Sequence, residues 1–227
     1  MERGKIVESL LLGVEALTFL EEEGFPVLKS LLARNEDDAA NKAVEIGFPV
    51  TLKISSPDVI HKTETGGICV SLKDETEVRQ AFKELVGNFT SSYPEKKLDG
   101  VIIQKQGNGL EVIVGMLKDP QFGPVLMFGL GGVFVEVMKD VAFRLIPIEA
   151  SDAKDMMEEL KGYGALKNPR SGPIDLMAAE NFLFQLSAFI AKHPEVREMD
   201  VNPLFIYSPG NGVQICDARI KRYKKTG

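Results

Sequence analysis

The sequence has no tryptophan, only two cysteines and two histidines, and no excess of basic charge. Each shortage removes a class of function. Cys69 and Cys216 each sit inside an apolar, strand-like run, and they read as buried structural thiols of a reducing compartment rather than as a disulfide or a metal pair. A net charge of −6 makes duplex nucleic acid a poor partner, because phosphate neutralisation needs clustered Lys and Arg. The basic run at the end, Arg219, Lys221, Arg222, Lys224 and Lys225, is expected to be a solvated tail. The longest apolar runs, such as Val141 to Ile148, are broken by charge and too short to span a bilayer. No secretory leader is recognisable at the start, so the chain is expected to be cytoplasmic. There is no G-x-x-x-x-G-K-[ST] phosphate loop, and Gly129-Leu130-Gly131-Gly132-Val133-Phe134 lacks the last glycine of a dinucleotide fingerprint. As an isolated feature that glycine run reads as a plain turn between strands.

What is present is a mixed pattern without repeats. Residues 7 to 23 approximate a helical apolar stripe, stopped by Gly24 and Pro26. A short strand over 27–33 follows, then a helix that Asn35 caps and Glu36, Asp37 and Asp38 open. Strands are predicted over 50–54 and 68–72, with a helix over 74–89. The polar stretch between the two strands, 55–67, is long for a loop in a compact domain, and loops of that length are often functional. Short strands then dominate at 101–104, 111–117, 125–128, 133–137 and 141–146. Helices return at 151–160 and 174–192, and strands 200–207 and 213–216 close the chain around the turn Ser208-Pro209-Gly210-Asn211-Gly212. The order argues for an α+β protein rather than a doubly wound sheet. Its expected parts are an N-terminal helix (1–25), a smaller lobe (26–102) and a C-terminal lobe (103–227).

Three groups of residues invite chemistry. Lys53 shares a strand face with Thr51 and Ser55, where it could meet a phosphate oxygen as a point charge; a solubility lysine on an edge strand is an equal reading. Asp200 and Asn202 project from one face of their strand, and a hairpin would set Asp217 beside Asn202. A carboxylate and an amide oxygen are hard ligands suited to Mg²⁺, although polar strand ends would look the same. His61 lies in the long loop and carries a competent nucleophilic nitrogen, mostly neutral at pH 7; it reads equally as an exposed loop histidine. His193, before Pro194, reads as a helix-end residue.

Together these segments resemble a known family. Gly47-Phe48-Pro49-Val50-Thr51-Leu52-Lys53, the stretch from Ser56 through His61 to Gly66-Gly67, Glu111-Val112-Ile113-Val114-Gly115, Asp119-Pro120-Gln121-Phe122-Gly123-Pro124, Gly129-Leu130-Gly131-Gly132 and Asp200-Val201-Asn202-Pro203-Leu204 are similar to the β subunit of ADP-forming acetyl-CoA synthetase. That is an ATP-grasp protein related to the β subunit of succinyl-CoA synthetase. The segment around His61 is the most specific, since generic ATP-grasp proteins do not carry it.

The resemblance implies an ATP-grasp fold with ATP or ADP between two lobes. Lys53 and the backbone around Gly66 and Gly67 would contact phosphates. Gln104, Lys105 and Gln106 would form the hinge at adenine, and Glu111 would hold a ribose hydroxyl. Asn202 and Asp217 would bind Mg²⁺, Asp200 would orient the phosphoryl group, and His61 would be transiently phosphorylated and pass phosphate to ADP. The succinyl-CoA relative has no such histidine in its β subunit. No CoA-binding half precedes Met1, so a CoA-binding α subunit is expected as partner, in a heterotetramer of two subunit types. The implied reaction is acetyl-CoA + ADP + Pi ⇌ acetate + ATP + CoA. Two other readings compete: a stand-alone ATP-grasp ligase joining a carboxylate to an amine, and a non-catalytic nucleotide-sensing or assembly module.

Overall fold

Short polar side chains set the helix starts. In the computed structural model, which describes residues 6–58, 66–131, 139–169 and 171–225, Asn35 accepts the N–H of Asp38 and Asp74 accepts that of Glu77. These bonds satisfy donors that a first helical turn leaves open. They begin α2 (Glu36–Ile46) and α3 (Glu75–Ser92), and Gly47 ends α2 at a φ of 85°, which a residue without Cβ adopts easily.

Both helices pack on one face of a four-stranded antiparallel sheet in the order β2-β5-β3-β4. Its strands are β2 (Ser30–Ala33), β3 (Val50–Ser55), β4 (Ile68–Leu72) and β5 (Gly100–Lys105). Val50, Leu52 and Ile54 of β3 join Val78, Phe82 and Leu85 of α3 in the core, as the period of two requires. Thr51 and Lys53 alternate with them on the other face and are nevertheless buried. This is the smaller of two compact units, Leu28–Gly107.

The larger unit joins Met1–Val27 to Asn108–Gly227. Seven strands form its sheet in the order β1-β11-β9-β6-β7-β8, with β10 paired to β9. They are β1 (Ile6–Leu12), β6 (Leu110–Asp119), β7 (Gly123–Leu130), β8 (Val141–Leu145), β9 (Val196–Ile206), β10 (Val213–Ile215) and β11 (Ala218–Lys225). Helices α1 (Val14–Glu22), α4 (Ala150–Glu158) and α6 (Leu176–Lys192) contribute to its core, and a short α5 (Tyr163–Lys167) follows α4. Helix α6 buries Ala179, Phe182, Leu183, Leu186 and Ile190, a helical stripe. The ring of Phe25 meets Phe182 at 5.6 Å and Phe189 at 5.4 Å, both edge-on, the arrangement that ring quadrupoles favour.

Several expectations are corrected. The N-terminal stripe begins as strand β1 rather than as helix, because residues 6–12 pair antiparallel with 219–225. For the same reason the basic segment is not a tail: β11 is an interior strand between β1 and β9. The predicted lobe boundary at 102/103 falls inside β5, which belongs wholly to the smaller unit, and the N-terminal segment is part of the larger one. Gly129 lies in β7, not in a turn; a Cβ there would come within 2.9 Å of the Asp140 carbonyl, and one at Gly131 within 2.9 Å of the Glu111 carbonyl. Those two glycines therefore serve close backbone packing. The strand predicted over 133–137 lies outside the described residues. The two cysteines are not joined in a disulfide; Cys216 is buried as expected, whereas Cys69 is only partly buried. Among the described residues no helix is long and apolar enough to cross a membrane.

Candidate active site

Strands β9, β10 and β11 assemble the acidic group. The Asn202 N–H donates to the Asp217 carbonyl at 3.0 Å, so the two residues lie opposite each other as the hairpin reading required. One step along, Val201 faces Ala218; one further, Asp200 faces Arg219. Because Val201 is fully buried in the core, its neighbours Asp200 and Asn202 belong to the opposite face. Asp217 and Arg219 share that face by the same alternation. The result is a square of four side chains: Asn202 beside Asp217, and Asp200 beside Arg219.

The backbone adds a local device. On the β6 side, Val112 pairs with Leu204 and Val114 with Val201, so Asn202 and Pro203 together oppose the single residue Ile113. Such a bulge is suited to Pro203, which has no N–H to give to a ladder. Bulges re-aim a side chain, and here the re-aimed residue is Asn202, which is exposed. Burial pushes the Asp200 carboxyl above its usual range, and the Asp217 charge adds to that, with Arg219 opposing. A divalent cation would relieve the same crowding of negative charge. No group of three or more His, Cys, Asp and Glu with the spacing of a metal site occurs among the described residues. The side chains of Asp200, Asn202 and Asp217 bring hard oxygen donors of the kind Mg²⁺ takes to one face of the sheet.

In the smaller unit Lys53 is 8% exposed on β3, which is paired on both sides. It is therefore not an edge-strand solubility lysine. The segment expected to form a hinge is bound up locally. Gln104 donates to the Ser30 hydroxyl at 2.7 Å, and Lys105 donates to the carbonyls of Gly47 and Phe48 at 2.8 and 2.9 Å. The Gln106 side-chain oxygen accepts the Ser71 N–H at 2.7 Å. That last bond serves a second bulge, where Val70 and Ser71 of β4 oppose Thr51 alone and Ser71 takes a φ of 62°. Gly66 has a φ of 64°, and the Gly67 carbonyl accepts the Ile54 N–H at 2.8 Å. Glu111 is exposed on β6 in the larger unit. His61 lies outside the described residues. His193 ends α6 as expected.

Sequence reasoning missed Arg219, having placed it in a tail. The signal was present: residues 218–225 alternate Ala218, Ile220 with charged residues, a strand pattern. It also missed Asp140, a buried carboxylate accepting the N–H groups of Lys161 at 2.9 Å and Gly162 at 2.7 Å. A concavity of about 870 Å³ in the larger unit lies apart from the acids, between the start of α6 and the turn after β9. Asn108, Asn181, Gln185, Asn211 and Gln214 are among the residues that line it, none of them charged.

Comparison with known proteins follows the geometry. The ATP-grasp domain family matches residues 5–221. The β subunit of ADP-forming acetate–CoA ligase I from Pyrococcus furiosus is 42% identical over 209 residues, covering 91% of this chain and 90% of that subunit. The chain also matches longer ADP-forming CoA ligases, of whose length it spans about a third. Among solved structures, an acetyl-coenzyme A synthetase of Ca. Korarchaeum cryptofilum, in complex with coenzyme A and Ca-AMPCP, superposes with a TM-score of 0.88 at 42% identity, covering 94% of this chain and 93% of that one. A structure of the same enzyme with coenzyme A and Mg-AMPPCP, its phosphohistidine segment pointing towards the nucleotide binding site, superposes at 0.79 with 40% identity, covering 94% and 92%.

Proposed function

The chain belongs to the ATP-grasp family and, within it, to the β subunits of ADP-forming acetate–CoA ligases; from that premise we propose that it makes ATP from ADP with phosphate delivered by His61. The observation that carries the reading is the square on β9 and β11, formed in a chain that matches a β subunit over nine-tenths of both lengths. The net reaction is acetyl-CoA + ADP + Pi ⇌ acetate + ATP + CoA. The CoA chemistry falls to a separate α subunit, with two copies of each chain in a heterotetramer, and the assembly works in the cytoplasm.

Each residue has a physical task. Phosphoryl transfer needs in-line positioning and dispersal of charge more than covalent work by the protein. Mg²⁺, when bound, would neutralise phosphate oxygens, and Asn202 and Asp217 would hold it with Asp200 alongside. Asp217 is already oriented, since one of its oxygens accepts the Ala218 N–H at 2.9 Å. Lys53, fixed on an interior strand, offers a point charge to phosphate. Gly66 and Gly67 let the backbone approach phosphate without a Cβ in the way. Gln104, Lys105 and Gln106 would border adenine at the hinge, held in place by side-chain bonds within their own unit. Glu111, exposed, is suited to a ribose hydroxyl. His61 would take phosphate on an imidazole nitrogen: on transfer the P–N bond breaks, the pair returns to the ring, and a β-phosphate oxygen of ADP forms the new P–O bond.

The test is to co-express the chain with its CoA-binding partner, supply labelled phosphate and acetyl-CoA, and map the label. Label on the peptide containing His61, chased into ATP by ADP, is the expected result. His61→Ala should abolish ATP formation; a variant complex that still forms ATP at the wild-type rate removes His61 from the path. Steady ADP release by the lone chain with ATP, a carboxylic acid and an amine would favour the stand-alone ligase instead.

A further inference from the structure

Three corners of the square carry oxygen and the fourth is a guanidinium, which offsets part of the negative charge at Asp200 and adds N–H donors beside the acids. Arg219 pairs in register with Asp200 and stands two residues from Asp217 on the same face. Directly opposite cross-strand neighbours have Cβ atoms about 5 Å apart, so the guanidinium reaches the same small volume as the carboxylates. On the far side of Asp200 the neighbour is Gly115, where an added Cβ would meet the Met127 methyl at 2.9 Å, so the position directly opposite on β6 offers no side chain. The Arg219 Nε is buried and has no hydrogen-bond partner among the described residues. A buried donor left unpaired is costly and calls for an explanation. Arg222 has an equally orphaned Nε, but its guanidinium lies 4.5 Å over the Phe19 ring, on residues remote in sequence from the square.

We propose that Arg219 is a substrate-contacting residue of the reaction, donating its N–H groups to non-bridging phosphate oxygens of the nucleotide while the neighbouring oxygens hold the metal. The planar guanidinium matches two phosphate oxygens at once, which a lysine cannot do. In phosphoryl transfer the charge spreads over the equatorial oxygens, where such a fork is effective. This inference rests on the reading of the square as a magnesium–nucleotide site and adds a residue to it.

The test uses the full chain and compares wild type with Arg219→Gln and Arg219→Lys by titration calorimetry with three probes: Mg-ADP, AMP, and Mg²⁺ alone. Arg219→Gln should weaken Mg-ADP binding by about 10-fold or more, the scale of a lost charged hydrogen bond, and Arg219→Lys should recover part of it. AMP, which lacks the β-phosphate, should bind the variants as it binds wild type. Mg²⁺ alone should bind Arg219→Gln at least as well as wild type, because a competing cation has gone. Unchanged Mg-ADP affinity in Arg219→Gln overturns the proposal. So does an equal loss for AMP accompanied by a lower melting temperature, which would make Arg219 a fold residue. Failure of wild type itself to bind Mg-ADP overturns the proposed function as well, and so is told apart from failure of Arg219 alone.

Discussion

In the smaller unit a cation, Lys53, is buried on the interior strand β3; in the larger unit the interior strand β9 carries an acid, Asp200, with Arg219 beside it on β11 and Asp217 just before that strand. Both units pay a desolvation penalty for charge taken from water. Both also place it where the strand is hydrogen-bonded on each side, so the backbone beneath the charge cannot shift. The difference lies in what each arrangement lacks. A buried lysine attracts anions, whereas two neighbouring carboxylates attract a cation; burial raises the Asp200 pKa and the Asp217 charge adds to that rise. The larger unit also holds the bulk of the apolar packing, with α6 and its phenylalanines behind the strands that carry the acids.

That contrast is tested most severely through the packing. Phe182→Ala should lower stability by about 3–5 kcal/mol, measured by urea unfolding, because it empties a fully enclosed site between Phe25 and the sheet. A loss near zero would mean that the larger unit does not depend on this layer. Next in size are the charges themselves. Asp217→Ala should weaken Mg-ADP binding by about 10–100-fold and blunt its dependence on Mg²⁺, a loss at least as large as outer-shell changes produce in metal sites. Lys53→Met should weaken ADP binding by about 10-fold while leaving the magnesium dependence intact, since one charged contact is removed and no metal ligand. If both variants changed the magnesium dependence alike, the division between a cationic and an acidic unit would fail.

The two units also differ in how openly their sequences declare them. The smaller unit is written in local signals: Asn35 and Asp74 open its helices, Gly47 closes one, and β3 alternates apolar with polar residues. The larger unit depends on pairing between chain ends. Residues 6–12 spell a plausible helical stripe, and only β11, some two hundred positions later, makes them a strand. The charged face of β11 looked like a tail because its apolar partners, Ala218 and Ile220, are few and its other neighbours are polar. The same misreading hid Arg219. Asp200, Asn202 and Asp217 were legible because Val201 fixes their face and the turn chemistry of 208–212 fixes the hairpin. The bulge at Asn202-Pro203 was not, since it exists only against β6.

The smallest expected effect concerns the far end of the larger unit, where charge is managed without any ligand. The His193 ring stacks on Phe189 at 4.2 Å, its Nδ1 lies 2.9 Å from Glu195, and its Nε2 lies 3.6 Å from Glu23. Burial of Glu195 works against its ionised form, but the bond to His193 and the nearby Arg222 bring its carboxyl below the usual range. A carboxyl whose folded pKa is depressed adds stability above its unfolded value, about 4.3, and that stability disappears as pH falls through the folded value. Glu195→Gln should therefore cost roughly 0.2–1 kcal/mol at pH 7, the range for partly exposed ion pairs. Its unfolding midpoint should converge with wild type below pH 4, in the window set by the lowered carboxyl. A variant that stays weaker at low pH by the same margin would show that Glu195 acts through packing rather than through its charge, and that the acids of this unit matter to it only around the square on β9 and β11.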